Sequence, residues 1–160
     1  MSFVRHVFAG AIAGAAATSA LNVATYTDMA VRGRGRSDIP ATMVKNIAEA
    51  AGVGALASDD QTTQNRRSGI GALLGYVDGV GVGIAFSALR PMLRGVPVLL
   101  AGVIAGAAVM ALSDVAIAKS GASDPRTWAP ADWAADAIPH LAYGVALALS
   151  FDTLAGSLDR

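Results

Sequence analysis

The chain has 160 residues, of which 54% are hydrophobic and 15% charged, and its formal net charge is zero. Soluble domains carry about 25% charged residues, so the composition argues for an integral membrane protein, with a buried soluble bundle as the alternative. It also argues against nucleic-acid binding, which needs a larger basic surface, and the lack of cysteine excludes disulfides and thiol chemistry.

The apolar residues gather into four blocks, each close to the roughly 20 residues that a helix needs to cross the hydrocarbon core. The fourth block is the weakest, because only fifteen residues separate Asp136 from Asp152. The sequence therefore predicts an all-α integral membrane four-helix bundle. Its predicted transmembrane helices are residues 7–28, 69–89, 97–118 and 134–155.

The first and third blocks are nearly the same sequence. Residues 9–24 and 101–116 align without a gap and are identical at nine of sixteen positions. We therefore predict a single membrane domain, 1–160, built from two tandem hairpins, 1–94 and 95–160. Two spans per copy give both copies the same orientation, which predicts a parallel pseudo-two-fold repeat. The second halves match more loosely, with Gly79, Val80, Phe86 and Leu89 corresponding to Gly144, Val145, Phe151 and Leu154.

A polar connection, residues 32–67, follows the first block. Arginines alternating with glycines just outside a span are typical of an anchor for lipid phosphates, here formed by Arg32, Arg34 and Arg36. Residues 40–51 carry apolar side chains at helical spacing, which predicts a short amphipathic helix on the membrane surface or capping the bundle. Residues 58–67 are predicted to form a loop.

The basic residues are distributed unevenly between the two sides of the predicted membrane domain. Most of them lie in the long connections, residues 32–67 and 119–133, and fewer lie on the other side. Basic residues near span ends favour the cytoplasmic side. We therefore expect a multi-pass protein of the cell (inner) membrane, with both connections cytoplasmic and the termini outside. The basic residues counted on the outer side are Arg5, Arg90, Arg94 and Arg160.

Glycines recur at four-residue spacing in three of the blocks, a glycine-zipper or GxxxG pattern. Such a face lets another helix backbone approach closely, which favours tight helix packing in lipid. We interpret these glycines as packing the bundle internally, in preference to lining a pore or an oligomer interface. They are Gly10, Gly14, Gly71, Gly75, Gly79, Gly83, Gly102 and Gly106.

Asp78 lies beside the glycines of the second block, about halfway along that block. An ionisable residue at such depth is costly and is a functional hypothesis by default. Two interpretations remain open: a hydrogen-bonded tie between helices, and a group that handles a proton or a cation.

A second polar group is predicted near the cytoplasmic ends of the spans. The repeat places Asn22 and Asp114 at equivalent positions, and Asp136, His140 and Tyr143 share one face of the fourth helix. These residues and Asp78 are our candidate proton, ion or ligand site, with a structural hydrogen-bond network as the alternative. Asp136 and His140 are weak candidates for metal ligands, since no known metal-binding spacing is present. No catalytic residue and no cofactor are predicted.

Three motifs resemble a family of small, uncharacterised four-span membrane proteins of actinobacteria. The resemblance covers nearly the whole chain and implies the membrane class without a substrate. The motifs are Leu21 to Met29 with the following Arg32-Gly33-Arg34, Asn65 to Gly69, and Asp124 to Trp128 continuing through Trp133, Asp136, Pro139 and His140 to Gly144.

Three functional hypotheses follow. The first is a transporter or channel-like protein that handles protons or cations and works as an oligomer, because one copy is too small to enclose a path. The second is a non-enzymatic accessory or scaffold subunit of a larger membrane complex. The third is an intramembrane lipid- or cofactor-binding protein, or an enzyme, that uses the Asp and His residues. The expected partners are membrane lipids and either further copies of the chain or other membrane subunits, with no nucleic acid.

Overall fold

The computed structural model describes residues 3–93 and 95–158, and all regular secondary structure within these residues is helical. Arg94 and Arg160, which the charge argument counts, lie outside the described residues. Short 3-10 turns occur at Gly54–Leu56, Arg90–Leu93 and Pro125–Thr127. The α-helices are α1 Phe3–Arg32, α2 Ile39–Ala50, α3 Gln61–Leu89, α4 Val98–Ser120 and α5 Pro130–Leu158.

Helices α1, α3, α4 and α5 are each long and apolar enough to cross a membrane. This confirms the prediction of four long apolar helices, although each helix exceeds its predicted block at one or both ends. The loop prediction for residues 58–67 was wrong from Gln61 onwards, because Asp60 caps α3. Its carboxylate accepts a hydrogen bond from the Thr63 amide at 3.0 Å, which satisfies a free donor of the first turn.

The four long helices pack in the order α3, α1, α5, α4. Helix α1 packs against both α3 and α5, and α5 packs against both α1 and α4. A two-fold axis that exchanged the hairpins would pack α3 against α4 just as α5 packs against α1. Helices α3 and α4 instead form the two ends of the series and make no extensive contact. The closed two-fold arrangement predicted from the repeat is therefore not what the packing shows.

Glycines bring the two helices of each hairpin into backbone contact. A Cβ at Gly83 would lie 2.7 Å from the Gly14 Cα, and a Cβ at Gly144 would lie 2.6 Å from the Gly106 Cα. Either contact is impossible for a real side chain, so the helices cross at glycine. These contacts make Gly83 the structural equivalent of Gly144, whereas the sequence predicts Gly79 as its equivalent. The two assignments differ by four residues, because the point of closest backbone approach, rather than sequence similarity, fixes which positions correspond.

The core between α1, α3 and α5 combines alanine on one side with large side chains on the other. Ala9, Ala13 and Ala17 of α1 are fully buried. They pack with Phe86 of α3 and with a row on α5, namely Tyr143, Leu147, Ala148 and Phe151. Small residues on α1 thus let the two neighbouring helices approach it closely from both sides.

Helix α2 lies against one end of the bundle, which we call the α2 end. Its Val44 and Ala48 are buried, and Pro40 lies against Gly71 of α3. Asn46 donates a hydrogen bond to the Ser120 carbonyl at the end of α4, at 2.8 Å. This one helix therefore links α3 to α4, which do not otherwise pack together extensively.

Candidate functional site

A cluster of ionisable side chains within the helix bundle consists of Asp114 of α4 with Asp136 and His140 of α5. Asp114 and Asp136 each stand six residues from the α2 end of their helix, a depth of about 9 Å at 1.5 Å per residue. His140 is one turn deeper, at about 15 Å, or roughly half the thickness of a hydrocarbon core. The three side chains interact electrostatically across the α4–α5 interface. We call them the Asp–His cluster.

The ring of His140 is oriented by Asp136. Its Nδ1 lies 2.8 Å from the Asp136 backbone carbonyl and 3.3 Å from the Asp136 carboxylate. A carbonyl oxygen only accepts hydrogen bonds, so Nδ1 carries a proton and donates it. The other ring nitrogen, Nε2, then has the free lone pair of the neutral imidazole. His140 is therefore set to gain and lose a proton at Nε2.

Two carboxylate oxygens of the cluster are buried without a hydrogen-bond partner in the described part of the chain. They are Asp114 Oδ1 and Asp136 Oδ2. Buried polar atoms are nearly always paired, because leaving one unpaired costs about 1–3 kcal/mol and more for a charged group. Two unpaired carboxylate oxygens therefore lie in the same cluster as an imidazole, within the helix bundle.

The local sequence loosens α5 at the cluster. Pro139 lies inside the helix directly before His140 and is itself buried. Proline has no N–H, so the carbonyl of Ala135 loses its helical partner one turn earlier. The His140 side chain is 14% exposed and that of Asp136 is 17% exposed, so the cluster is partly reachable from outside the bundle.

Two of the predicted site residues lie elsewhere. Asn22 of α1 donates a long hydrogen bond, 3.4 Å, to the hydroxyl of Tyr76 of α3. Tyr143 is buried and donates to the Gly79 carbonyl at 2.7 Å. Both residues tie α3 to a neighbouring helix, so the structure brings together Asp114, Asp136 and His140 but adds neither Asn22 nor Tyr143 to them.

Asp78 lies on the outside of α3. It is exposed, and within residues 3–93 and 95–157 its carboxylate has no hydrogen-bond or ion-pair partner. The whole stretch from Ala72 to Asp78 is exposed, and no atom lies within 4 Å of a Cβ built at Gly75. Within the described chain, Asn22 of α1 reaches the Tyr76 hydroxyl in this stretch, but the Gly75 position itself packs against no other helix.

The described residues contain no group of three or more His, Asp or Glu side chains that could hold a metal ion. Asp136 and His140, the weak metal candidates, are neighbours on one helix and contact each other.

The predicted lipid-phosphate anchor is held partly by an acidic residue. Arg32 and Arg34 both bind the Asp28 carboxylate, Arg32 at 2.7 Å. Arg32 also donates to the Ala131 carbonyl at the start of α5, at 3.3 Å. One carboxylate between two guanidinium groups leaves net positive charge, and Arg36 is exposed beside them.

Sequence reasoning missed two ionic contacts that fix the ends of the bundle. Arg67 of α3 is buried and donates to Asp59 at 3.3 Å, and Lys45 of α2 binds the same carboxylate at 2.7 Å. These hydrogen bonds hold the pKa of Asp59 below its ordinary range. At the opposite end, Arg90 and Asp152 form a bidentate pair at 3.0 and 2.7 Å. Charged residues near predicted span ends were the available signal, but their pairing needs the helix order.

Comparison with known protein families, with curated proteins and with solved structures finds no match for this chain. The resemblance to four-span actinobacterial proteins stays a prediction from its motifs. What can be said of function therefore depends on the chemistry of the Asp–His cluster and on the surfaces of the bundle.

Proposed function

We propose that this small multi-pass membrane protein binds and passes on a proton or a small cation at Asp114, Asp136 and His140. The observation that carries the proposal is the pair of buried, unpartnered oxygens, Asp114 Oδ1 and Asp136 Oδ2, beside the imidazole. Ionisable residues inside a membrane bundle are costly and commonly mark ion or proton pathways.

The positions of the acidic residues support an entry route from the α2 end. Asp132, in the first turn of α5, is exposed. Asp136 and His140 follow at four-residue spacing on the same helix face, each one turn deeper. A proton arriving at Asp132 thus meets acceptors at successive depths. The excess of basic residues in the connections assigns this end to the cytoplasm in our proposal.

The route does not continue through a single copy. Beyond His140 the next polar side chain on this face is Tyr143, which is fully buried and whose hydroxyl is bound to the Gly79 carbonyl. Passage across the membrane therefore requires neighbouring copies, and we include an oligomer in the proposed function.

Proteoliposomes test the proposal. The purified protein is reconstituted under a pH gradient, and decay of the gradient is followed with an enclosed pH-sensitive dye. We expect faster decay than in empty liposomes, and we expect Asp114→Asn and Asp136→Asn to return the rate to the empty-liposome level. Sodium and potassium gradients at constant pH distinguish a proton from a small cation.

The matched control is Asp124→Asn, which changes an aspartate of the connection that pairs with Arg126 outside the bundle. It should leave the rate unchanged. The proposal is overturned if wild-type protein dissipates no gradient, or if both cluster variants, checked for helicity and a single size-exclusion peak, work as well as wild type.

A second candidate function is an accessory subunit of a larger membrane complex. The exposed stretch of α3 from Ala72 to Asp78 favours it, because a carboxylate facing lipid calls for a covering partner. Stoichiometric co-purification of a different membrane protein, lost on replacing residues of this stretch, would support that role over transport.

A further inference from the structure

We infer that the exposed face of α3 around Gly75 and Asp78 binds α4 of a second copy of the chain. The contact would repeat, between copies, the way α5 binds α1 within one copy. This inference does not rest on the proposed function, since it uses neither the chemistry of the Asp–His cluster nor a transport activity.

The first support is the equivalent geometry of the two hairpins. A Cβ added at Gly83 would overlap the carbonyl oxygen of Gly10 and the nitrogen and Cα of Gly14. A Cβ added at Gly144 would overlap the same atoms of Gly102 and Gly106. Residues 10 and 102, like residues 14 and 106, stand 92 positions apart, the offset of the sequence repeat. Helix α4 thus corresponds to α1, and α5 corresponds to α3. Gly83 and Gly144 are equivalent, so each residue of α3 corresponds to the residue of α5 that lies 61 positions later in the sequence.

The second support is a face of α4 that lacks the neighbour which α1 has. On α1, Ala13 and Ala17 are fully buried and Ala20 and Ala24 are partly buried. Their equivalents on α4 are Ala105, Val109, Leu112 and Ala116. Ala105 and Val109 are only partly buried, Leu112 is 70% exposed and Ala116 is exposed. An apolar surface that α5 covers on α1 is therefore largely uncovered on α4.

The third support is the matching face of α3. With this offset of 61 residues, Gly75 and Asp78 of α3 are equivalent to Asp136 and Pro139 of α5. Pro139 is buried and Asp136 is partly buried, whereas Gly75 and Asp78 are exposed. At these two positions, near the α2 end, α3 thus lacks the neighbour that covers α5. Farther along α3, Phe86 and Ser87, the equivalents of Leu147 and Ala148, are buried within the chain.

A second copy is the occupant that fits both bare faces at once. Each chain has one uncovered face on α3 and one on α4. If α4 of one copy binds α3 of the next copy, the helix series α3, α1, α5, α4 simply continues from one copy into the next. The contact is head-to-tail, so it must close into a ring or extend as a filament. It would also remove the Asp78 carboxylate from lipid, where an ionisable group is costly.

Cysteine cross-linking tests the contact cleanly, because the chain has no cysteine of its own. His6 of α1 is in ring contact with Phe151 of α5, and Arg32 at the other end of α1 donates to the Ala131 carbonyl. Helices α1 and α5 therefore run antiparallel, and the residue numbers at their contacts sum to between 157 and 163. Applying the two repeat offsets, 92 for α4 and 61 for α3, raises these sums to between 188 and 194. Gly75 is then expected opposite residues 113–119 of the next copy, with Ala116 at the centre of that range. We therefore join Gly75→Cys and Ala116→Cys by mild oxidation in native membranes, which leaves Asp78 intact and puts small side chains into open space.

The double variant should give a ladder of cross-linked chains on a denaturing gel, and its largest member counts the copies in the ring. Each single variant should stay monomeric, since a head-to-tail contact does not bring two like positions together. Gly81→Cys combined with Ala116→Cys is the matched control, because Gly81 is exposed on another side of α3, and it should also stay monomeric.

Three results would overturn the inference. One is a double variant that yields no intermolecular band. Another is efficient self-cross-linking of Gly75→Cys alone, which would show a symmetric α3–α3 contact. The third is cross-linking of Gly75→Cys to a different protein, which would assign the face to a foreign subunit. None of these results measures proton flux, which the proteoliposome assay reports separately, so failure of this interface and failure of the proposed function are distinguishable.

Discussion

The Tyr143 hydroxyl donates a 2.7 Å hydrogen bond to the Gly79 carbonyl, which joins α5 to α3 across the helix that separates them in the series. The ring of Tyr143 also lies against the space where Gly79 lacks a side chain, next to the hydroxyl of Thr18. Three helices therefore meet at one glycine. This buried junction lies between the Asp–His cluster and the opposite end of the bundle.

Replacing Tyr143 by phenylalanine should destabilise the bundle by about 0.5–1.5 kcal/mol, the net value of a typical intramolecular hydrogen bond. The ring and its packing are kept, so a larger loss is not expected. Unfolding by sodium dodecyl sulfate in mixed micelles measures the change. Tyr26→Phe, at an exposed tyrosine, is the control and should be neutral; equal losses in the two variants would contradict the assignment.

Alanine at Gly83 or at Gly144 should be strongly destabilising. The added methyl group would overlap the facing glycine backbone, and overpacking costs about 1–3 kcal/mol even where side chains can move. Alanine's better helix propensity returns at most about 1 kcal/mol. Gly81→Ala serves as control, because open space surrounds that position, and it should be neutral or stabilising in the same assay. If all three variants unfold alike, close glycine packing does not hold the hairpins together.

The Arg90–Asp152 pair should couple α3 to α5 at the end opposite α2. We expect a double-mutant cycle with Arg90→Ala and Asp152→Ala to give a coupling free energy of about 1 kcal/mol, since the pair is bidentate and only partly exposed. Raising the salt concentration should weaken the coupling. A cycle in which the two single losses simply add would show that the ion pair contributes nothing.

Acid should weaken the start of α3. Hydrogen bonds from Ser58, and from the amide and hydroxyl of Thr63, lower the pKa of Asp60 below its ordinary value. A carboxyl whose folded pKa is lowered contributes stability that is complete above the unfolded value of about 3.9 and is lost as the pH falls through the folded value.

Asp60→Ala should therefore lower the melting temperature at neutral pH, and the difference from wild type should shrink only below about pH 4. Asp38→Ala is the matched control, because Asp38 precedes α2 without a capping hydrogen bond from its side chain. A difference between Asp60→Ala and wild type that is independent of pH down to strong acid would contradict the capping role.

The four long helices were predictable, because spans of apolar residues carry a strong and local signal. The contact between Asp136 and His140 was also within reach, since four-residue spacing places two side chains on one helix face. Asp114 could be placed near them only through the repeat. The partners of Asn22 and Tyr143, and the exposure of Asp78, depend on the order of helices around the bundle, which apolar periodicity does not encode when nearly every face is apolar.

The most direct test of the Asp–His cluster is nitrogen NMR of the His140 imidazole in lipid nanodiscs, with His6 as internal reference. The geometry predicts a ring protonated at Nδ1, reversible protonation at Nε2, and a titration midpoint that moves in Asp114→Asn but not in Asp124→Asn. A ring protonated at Nε2, or one that does not titrate and is indifferent to Asp114, would contradict the proposal that these residues bind a proton together.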